Sequence, residues 1–305
     1  MISKIIKKTK GTLINKSLNI QIFFLVLIIL ISLLIFNFIG MYFGNMFFDI
    51  GNIKSINLTE KLNNEKFIDL LKSIQIVNAI GTFIIPTVIF YHLKGDNLKK
   101  GIKLNNNIKF YDILKLFLLS IIMIPIANAF GYLNSKIILP DFLYFIENIE
   151  NQTILLTEKF LEMKSLLDLI QMIFIIGITA SICEEFLFRG VIQNLLIEKL
   201  NSVHYSILIS AIIFSIFHLQ FSAILPRFIL GIIIGYVYLN YKNLIHPILL
   251  HFFYNSTLVI LSFLGQKEFF SNNIEEIGTE TNYSILIFIV ISLMILYQNY
   301  RKVIK

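Results

Sequence analysis

Long runs of apolar residues alternate along the chain with shorter segments that are richer in Lys, Asn and Glu. An α-helix rises about 1.5 Å per residue, so a run of about 17 to 25 apolar residues crosses the roughly 30 Å hydrocarbon layer of a membrane. Such runs occupy residues 20–43, 74–93, 113–133, 166–187, 204–221, 224–241, 244–265 and 283–300. The pattern predicts an all-α polytopic membrane helix bundle with about eight transmembrane helices.

The composition agrees with this fold class. The 305 residues are 56% hydrophobic and 15% charged, and the mean hydropathy is +0.78, which exceeds what a soluble domain needs to fill its core. The apolar run that begins at Ile20 is longer than the roughly 7 to 15 apolar residues of a secretory signal peptide, so we expect a retained span. A single cysteine, Cys183, excludes an internal disulfide framework and a Cys-rich zinc site.

The basic residues indicate a topology rather than a nucleic-acid partner. There are 26 Lys and Arg against 19 Asp and Glu, and nearly all the basic residues lie between the apolar runs. With a cytoplasmic N-terminus, 16 Lys and Arg fall on the cytoplasmic side and eight on the other. Positive residues concentrate on the cytoplasmic side of membrane proteins. We therefore expect a multi-pass protein of a bacterial cell membrane with both termini in the cytoplasm, in contact with lipid and not with nucleic acid.

The chemistry is unevenly distributed along the chain. Residues 1–150 predict transmembrane scaffold helices with few ionisable groups inside them, whereas 151–305 predict a catalytic core followed by a C-terminal transmembrane helix. The connection 134–165 contains apolar and charged residues in alternation, which suits either an interfacial amphipathic helix or a surface helix or loop.

The first group of ionisable residues at membrane depth is Glu184, Glu185 and Arg189, which follow a long apolar run. A charged side chain at the centre of a span costs about 2.5 to 3.5 kcal/mol on insertion scales, so these carboxylates are functional candidates. Arg189 follows Glu185 by four residues, the spacing of an ion pair on one helix face. Glu184 points about 100° away and is free to face a cavity.

Two further pairs lie in later apolar runs. His218 follows Phe214 by four residues, and Asn255 follows His251 by four, so each pair shares one helix face. Taken singly, a glutamate pair at a helix end is often a solvated cap, and an intramembrane histidine is often a hydrogen bond between helices. Three such groups on three apolar helices instead supply a base, two imidazoles and an amide donor. They predict one catalytic site.

Other polar residues in the spans are assigned to the structure. His92, His204 and His246 lie at span ends, where exposure to the membrane interface is easy, and they are predicted to be structural. Arg227 and Tyr254 are near enough in sequence to approach the cavity, but they are left outside the predicted site.

The motifs Glu-Glu-x-x-x-Arg, Phe-x-x-x-His and His-x-x-x-Asn, in this order, resemble those of the CAAX protease and bacteriocin-processing family of intramembrane endopeptidases, also called the Abi family. The resemblance covers residues 165–265. It implies an intramembrane protease that acts on a membrane-associated peptide or protein. Family members include prenyl-protein proteases, bacteriocin self-immunity proteins and signal-peptide processors, so the resemblance leaves the substrate open.

The resemblance also implies roles for individual residues. Glu184 resembles the water-activating glutamate, and Glu185 with Arg189 resembles the supporting pair. The remaining catalytic residues implied by the family are His218, His251 and Asn255.

Hydrolysis of a peptide bond requires an activated water, a donor to the oxyanion and a proton for the leaving amine. We expect Glu184 to act as the general base with His218, and Asn255 with His251 to donate to the oxyanion. No cofactor is predicted. The alternative is a zinc ion bound by Glu184, His218 and His251 with an open position for water. Two other classes of function stay open, namely a transporter and a non-catalytic immunity or scaffold protein that uses the same cavity.

The depth of these residues in the membrane sets one further expectation. If the fourth and fifth spans were straight and ended where the apolar runs end, Glu184 and His218 would lie about 20 Å apart. We therefore expect the fourth helix to continue through the motif to about Leu200.

Overall fold

The computed structural model describes residues 8–48, 62–105, 107–137, 144–267 and 282–304, and these residues contain no β-strand. The helices are α1 (Leu18–Phe48), α2 (Glu65–Lys94), α3 (Leu98–Gly101), α4 (Phe110–Asn134), α5 (Tyr144–Leu161), α6 (Leu166–Leu200), α7 (Val203–Phe217), α8 (Ile224–Tyr241), α9 (Ile245–Gln266) and α10 (Asn282–Ile304). The prediction of an all-α fold is confirmed.

Six helices in the described part of the chain are long and apolar enough to cross a membrane: α1, α2, α4, α6, α8 together with its preceding 3-10 turn, and α9. Two shorter apolar helices, α7 and the stretch Tyr283–Gln298 of α10, coincide with the two other predicted spans. The protein is a multi-pass membrane helix bundle.

The second predicted span begins too late in the sequence. α2 starts at Glu65 rather than at residue 74, because Asn64 caps the helix by accepting a hydrogen bond from the backbone N–H of Phe67 at 3.3 Å. The charged residues of its first turns lower the local hydropathy without ending the helix. Lys72 in this part is buried and donates to Gln171 of α6 at 3.3 Å. In the connection 134–165, the helical possibility is the one observed, as α5.

α6 is one continuous helix from Leu166 to Leu200, which confirms the expected continuation through the glutamate motif. Two π-helical segments, Ile173–Thr179 and Phe188–Gln193, flank the α-helical turns that contain both glutamates. Such wide turns interrupt the regular hydrogen-bond ladder and are frequent at functional sites.

Side chains from other helices bind carbonyl groups of these wide turns. The amide of Asn255 on α9 donates to the carbonyl of Ile176 at 2.9 Å, and the hydroxyl of Tyr91 on α2 donates to the carbonyl of Gly190 at 2.6 Å. The wide turns of α6 thereby fix its position against two neighbouring helices.

α8 lies at the centre of the bundle and packs closely against α7. A Cβ atom at Gly231 would lie 3.0 Å from Cβ of Ala211, and one at Gly235 would lie 3.0 Å from a methyl group of Ile207. Small residues that allow helix backbones to approach are typical of membrane interfaces. Helices α4, α7, α8 and α9 contribute the buried apolar residues around this contact, and the close approach places the end of α7 beside α6.

Candidate active site

The carboxylate of Glu184 lies between two imidazole rings. Its Oε2 atom is 3.9 Å from Nε2 of His218 and 3.9 Å from Nε2 of His251. These separations are too long for direct hydrogen bonds, but a water about 2.8 Å from each atom would bridge them. Oε2 is buried and has no hydrogen-bond partner in the described part of the chain. The arrangement therefore suits a small polar molecule shared by the three groups.

His218 is positioned by the end of α7. It is the C-terminal cap residue of that helix, and the next residue, Leu219, has a positive φ of 54° that ends it. Nδ1 of His218 donates to the carbonyl of Phe214 at 2.8 Å, and the Phe214 ring contacts the imidazole edge to face at 4.9 Å between centroids. Phe214, the first residue of the predicted Phe-x-x-x-His motif, thus holds the His218 ring through both its backbone carbonyl and its side chain.

His251 is held by the second glutamate. Oε1 of Glu185 accepts a hydrogen bond from Nδ1 of His251 at 2.8 Å and one from Nη1 of Arg189 at 2.7 Å. The Glu185 and Arg189 side chains are 0% and 1% exposed. The predicted ion pair is present, and its contact with α9 is an addition that spacing within one helix does not reveal.

Both terminal nitrogens of Arg189 contribute to this support. Besides Glu185, its guanidinium donates to the carbonyl of Gly231 on α8 at 3.1 Å and lies 4.9 Å from the centre of the Phe214 ring. The cation therefore joins α6 to α7 and α8, and Glu185 joins α6 to α9. Together the pair fixes the four helices that surround Glu184.

The hydrogen-bond partners assign the ring protons of both histidines. A backbone carbonyl and an ionised carboxylate only accept hydrogen bonds, so Nδ1 carries the hydrogen in His218 and in His251. In the neutral rings, each Nε2 is then an acceptor directed toward Glu184. A water at this position can donate one hydrogen to Glu184 and the other to Nε2 of His218, and it keeps a lone pair that can attack a substrate carbonyl carbon.

Asn255 lies one helical turn beyond His251, which corresponds to about 6 Å along α9. Its amide nitrogen donates to the carbonyl of Ile176 in the first wide turn of α6. The structure thus brings Glu184, His218 and His251 around one point and holds Asn255 beside them, with one amide hydrogen engaged.

The three groups around this point do not have the spacing that a zinc ion requires. Two imidazoles and a carboxylate are suitable ligands, but tetrahedral ligands at about 2.1 Å from zinc lie only about 3.4 Å from each other. The separations of 3.9 Å are wider. No cluster of three His, Cys, Asp or Glu side chains in the described ranges has the geometry of a metal site. The residues as placed do not fit zinc, and the absence of a cofactor stays a prediction.

A cavity of about 490 Å³ reaches Glu184 from the side of α1, α2 and α5. Its walls are mostly apolar, with Leu71, Phe160 and Phe217 among them, and a few uncharged polar residues such as Asn78 face the same space. Oδ1 of Asn78 is buried without a hydrogen-bond partner in the described residues. A mostly apolar cavity with isolated polar groups is typical of a ligand site.

Comparison with known proteins gives this geometry a family context. Residues 166–257 match the family model described as type II CAAX prenyl endopeptidase, Rce1-like. The predicted family resemblance is confirmed. The matched residues, here called the Rce1-like segment, include all three motifs and begin with the first residue of α6.

A curated relative agrees with the family match. The Bacillus subtilis (strain 168) protein named "Putative membrane peptidase YdiL" is 32% identical to this chain over 121 residues. The alignment covers 38% of this chain and 48% of that protein, so the chain spans about half the length of the curated relative. No solved structure matches the chain.

The Rce1-like segment contains one charged residue near the site that the motifs did not include. Arg227 of α8 lies close enough to Glu184, His218 and Tyr254 for their charges to interact. Its Nη2 donates to Oε1 of Gln220, while Nη1 is buried without a partner among the described residues. The available signal was a basic residue in the first turn of an apolar helix, nine residues after a predicted site histidine.

The histidines outside the motifs have structural contacts. His92 is 3.2 Å from the hydroxyl of Thr9, and His204 is 2.9 Å from the hydroxyl of Tyr236. The expected exposure of His246 is wrong. Its side chain is 3% exposed, because the ring stacks on Tyr241 with centroids 3.9 Å apart.

Proposed function

We propose that this protein is an intramembrane endopeptidase that hydrolyses a peptide bond in a membrane-associated peptide or protein. The observation that supports this proposal most is the position of Oε2 of Glu184. This atom has no hydrogen-bond partner among the described residues and lies 3.9 Å from Nε2 of His218 and of His251 in an apolar environment. The similarity of residues 166–257 to CAAX prenyl endopeptidases and to a protein named as a membrane peptidase supports the same chemistry.

In this proposal a water donates hydrogen bonds to Glu184 and to Nε2 of His218. Its oxygen attacks the carbonyl carbon of the scissile peptide bond while Glu184 accepts its proton. The new C–O bond converts the carbonyl oxygen into an oxyanion. When the tetrahedral intermediate collapses, the C–N bond breaks and Glu184 passes the proton to the leaving nitrogen.

The oxyanion needs hydrogen-bond donors that are already in position. His251, which in this proposal is already doubly protonated when the substrate binds, donates from Nε2, and Glu185 behind it stabilises the cation through the 2.8 Å contact at Nδ1. Asn255 contributes the amide hydrogen that Ile176 does not use. These assignments give Glu185 and Arg189 a supporting role and leave Glu184 as the only base.

The 490 Å³ cavity beside Glu184 supports a peptide substrate with apolar side chains next to the scissile bond. Asn78 and the threonines of its wall provide hydrogen-bonding groups for a peptide backbone that has left water. A charged side chain in this part of the substrate would lose its hydration without gaining an ion pair. We therefore include apolar, uncharged flanking residues in the proposal.

The orientation of the protein belongs to the same proposal. Both termini are assigned to the cytoplasmic side of a bacterial cell membrane because of the excess of Lys and Arg in alternate segments. Reporter fusions in the segment 94–112 test this assignment, and an external reporter there would reverse it. Reporters fused in the segment 134–165 are expected on the outer side of the membrane.

The experiment uses the full chain in liposomes with a lipid-anchored peptide whose two ends carry a fluorophore and a quencher. Cleavage in water enriched in ¹⁸O is expected to place the heavy oxygen in the new carboxyl end, as mass spectrometry detects. Release of fluorescence without a new carboxyl end would exclude hydrolysis. A protein that binds the peptide without cutting it would favour the scaffold function, and peptide movement across the bilayer would favour a transporter.

A chelator arm tests the cofactor prediction. We expect activity to survive prolonged treatment with EDTA and with 1,10-phenanthroline, because the proposed base acts on water directly. Loss of activity that zinc restores, with unchanged thermal unfolding of the apoprotein, would instead assign Glu184, His218 and His251 to a metal.

A further inference from the structure

Arg227 is a charged residue of the Rce1-like segment whose guanidinium is only partly bound by the protein. It lies in the first turns of α8, and Gln220 holds one of its terminal nitrogens. The other, Nη1, is buried and has no partner among the described residues. Guanidinium groups bind carboxylates and other anionic oxygens through paired N–H donors, and a buried donor without an acceptor is costly. Such a group in a membrane span is a functional candidate.

The two arginines near the site differ in what they bind. Arg189 has a carboxylate at 2.7 Å, a backbone carbonyl at 3.1 Å and an aromatic ring, so both of its terminal nitrogens are bound and its Nε alone lacks a partner among the described residues. Arg227 has no carboxylate within 4.0 Å in the described part of the chain, although Glu184 and Glu150 lie within electrostatic range. Oε1 of Glu150 accepts from the backbone N–H of Ser222 at 2.8 Å and from its hydroxyl.

Each of the other donors around Glu184 already has one hydrogen bonded to the protein. His218 donates through Nδ1 to the carbonyl of Phe214, His251 donates through Nδ1 to Glu185, and one amide hydrogen of Asn255 binds a carbonyl of α6. Both imidazoles can donate from Nε2 only after gaining a proton. Nη1 of Arg227 needs no proton transfer, because a guanidinium is charged at every physiological pH.

We propose that Nη1 of Arg227 binds an anionic oxygen of the substrate, with Gln220 holding the guanidinium in place. This inference rests on the proposed peptidase function and adds a residue to its site. Two anionic oxygens share the required chemistry. One is the oxyanion of the tetrahedral intermediate, and the other is a free C-terminal carboxylate near the scissile bond.

The test compares wild type, Arg227→Gln and Arg227→Lys in liposomes, with two lipid-anchored peptides that differ only in a carboxylate or an amide at the C-terminus. Arg301→Gln, which removes an exposed cation, is the matched control. We expect Arg227→Gln to lower kcat/KM by about 10²- to 10³-fold, the range seen when one donor to an oxyanion is removed. Arg301→Gln should cleave like wild type.

The pattern across the two peptides identifies the oxygen. An equal loss with both peptides, mainly in kcat, assigns Arg227 to the oxyanion. A loss confined to the peptide with the free carboxylate, mainly in KM, assigns it to the C-terminus. In either case, guanidinium chloride at low millimolar concentration should partly restore peptide cleavage by Arg227→Ala. Cleavage would not be restored in this way if the arginine had only a structural role.

Wild-type kcat/KM with both peptides in folded Arg227→Gln overturns the proposal. If that variant does not fold, Arg227→Lys and Gln220→Leu decide, since they keep the charge and disturb only the placement of the donor. Unchanged kinetics in both would equally overturn it. A wild type that cleaves neither peptide would instead contradict the proposed peptidase function, so the two failures are distinguishable.

Discussion

The N-terminal helix α1 and the Rce1-like segment differ in the side chains that they place at membrane depth: α1 exposes apolar side chains, whereas the Rce1-like segment buries charged ones. α1 presents large apolar side chains outward along most of its length, and Phe38 is 72% exposed. The central part of α6 instead buries Glu185 and Arg189 at 0% and 1% exposure. A lipid-facing helix needs only apolar side chains, whereas buried charges need partners at defined distances. The segment with the specific contacts is also the one that the family model matches.

The comparison explains why the two regions should respond differently to substitution. In α1, one apolar residue can replace another with little loss, because lipid adapts to its shape. In α6, a change of one atom in Glu185 alters contacts to Arg189 and His251 simultaneously.

The largest effect is expected from Glu184→Gln. The amide keeps the shape of the side chain but cannot accept the proton of the attacking water, so cleavage should fall by about 10²- to 10⁴-fold. Thermal unfolding should change little, because Oε2 has no partner to lose in the described residues. The measurement is peptide cleavage by the purified variant in liposomes beside its thermal unfolding curve.

Glu198→Gln is the matched control for this variant, since Glu198 lies on the same helix and its side chain is 49% exposed. We expect wild-type cleavage. Full activity in Glu184→Gln would exclude Glu184 as the base and would favour a transporter or a scaffold.

The second largest effect is expected from Glu185→Gln and Arg189→Ala, which should each lower the stability of the protein. Removing one partner of a buried ion pair leaves the other uncompensated and typically costs about 3 to 5 kcal/mol of unfolding free energy. His251 also loses its acceptor in part, so cleavage should decrease even at temperatures where the protein stays folded. The measurements are the free energy of unfolding in detergent and the cleavage rate at low temperature.

The double variant sharpens this prediction. Glu185→Leu with Arg189→Met replaces both charges by apolar groups, and it should be more stable than either single variant. Equal stability of the single variants and wild type would mean that this pair does not hold α6, α8 and α9 together.

The sequence predicts contacts within one helix of the site, but it does not predict contacts between helices. Spacing along one helix reports contacts within that helix, and the i, i+4 pair of Glu185 with Arg189 was predicted in this way. The contact of Glu185 with His251 depends on how α6 and α9 cross, which neither periodicity nor composition specifies. The unpaired nitrogen of Arg227 was missed for the same reason, because its surroundings come from a loop and two other helices.

The fold shows a similar division. Hydropathy predicted the all-α bundle, and the requirement that Glu184 approach His218 predicted the continuation of α6 to Leu200. Hydropathy placed the start of α2 too late, because capping by Asn64 and burial of Lys72 lengthen a helix without making it more apolar. Local hydrogen bonds and tertiary partners decide boundaries that an average over residues does not detect.

The third prediction tests the N-terminal region by overpacking. A Cβ atom at Gly81 of α2 would overlap the ring of Phe36 on α1. Gly81→Ala should therefore cost about 1 to 3 kcal/mol, the usual range for an overfilled contact. Gly265→Ala is the control, since nothing lies within 4 Å of the added atom. Cleavage per folded molecule should stay at the wild-type level, and a loss comparable to that of Glu184→Gln would show that α1 and α2 take part in the chemistry.

The smallest effect is expected where the two regions meet at the surface. Nζ of Lys94, at the end of α2, lies 2.9 Å from Oε2 of Glu198 near the end of α6, and the two side chains are 22% and 49% exposed. Exposed ion pairs contribute about 0.2 to 1 kcal/mol, because water and salt screen the attraction and two long side chains lose freedom. Lys94→Ala and Glu198→Ala should thus each change the free energy of unfolding by less than about 1 kcal/mol, and a double-mutant cycle should give a coupling that disappears in high salt. The contact joins α2 to the Rce1-like segment, so a coupling as large as that of Glu185 with Arg189 would contradict the contrast between the two regions. It would mean that the surface of this protein fixes α2 against α6 as strongly as its interior does.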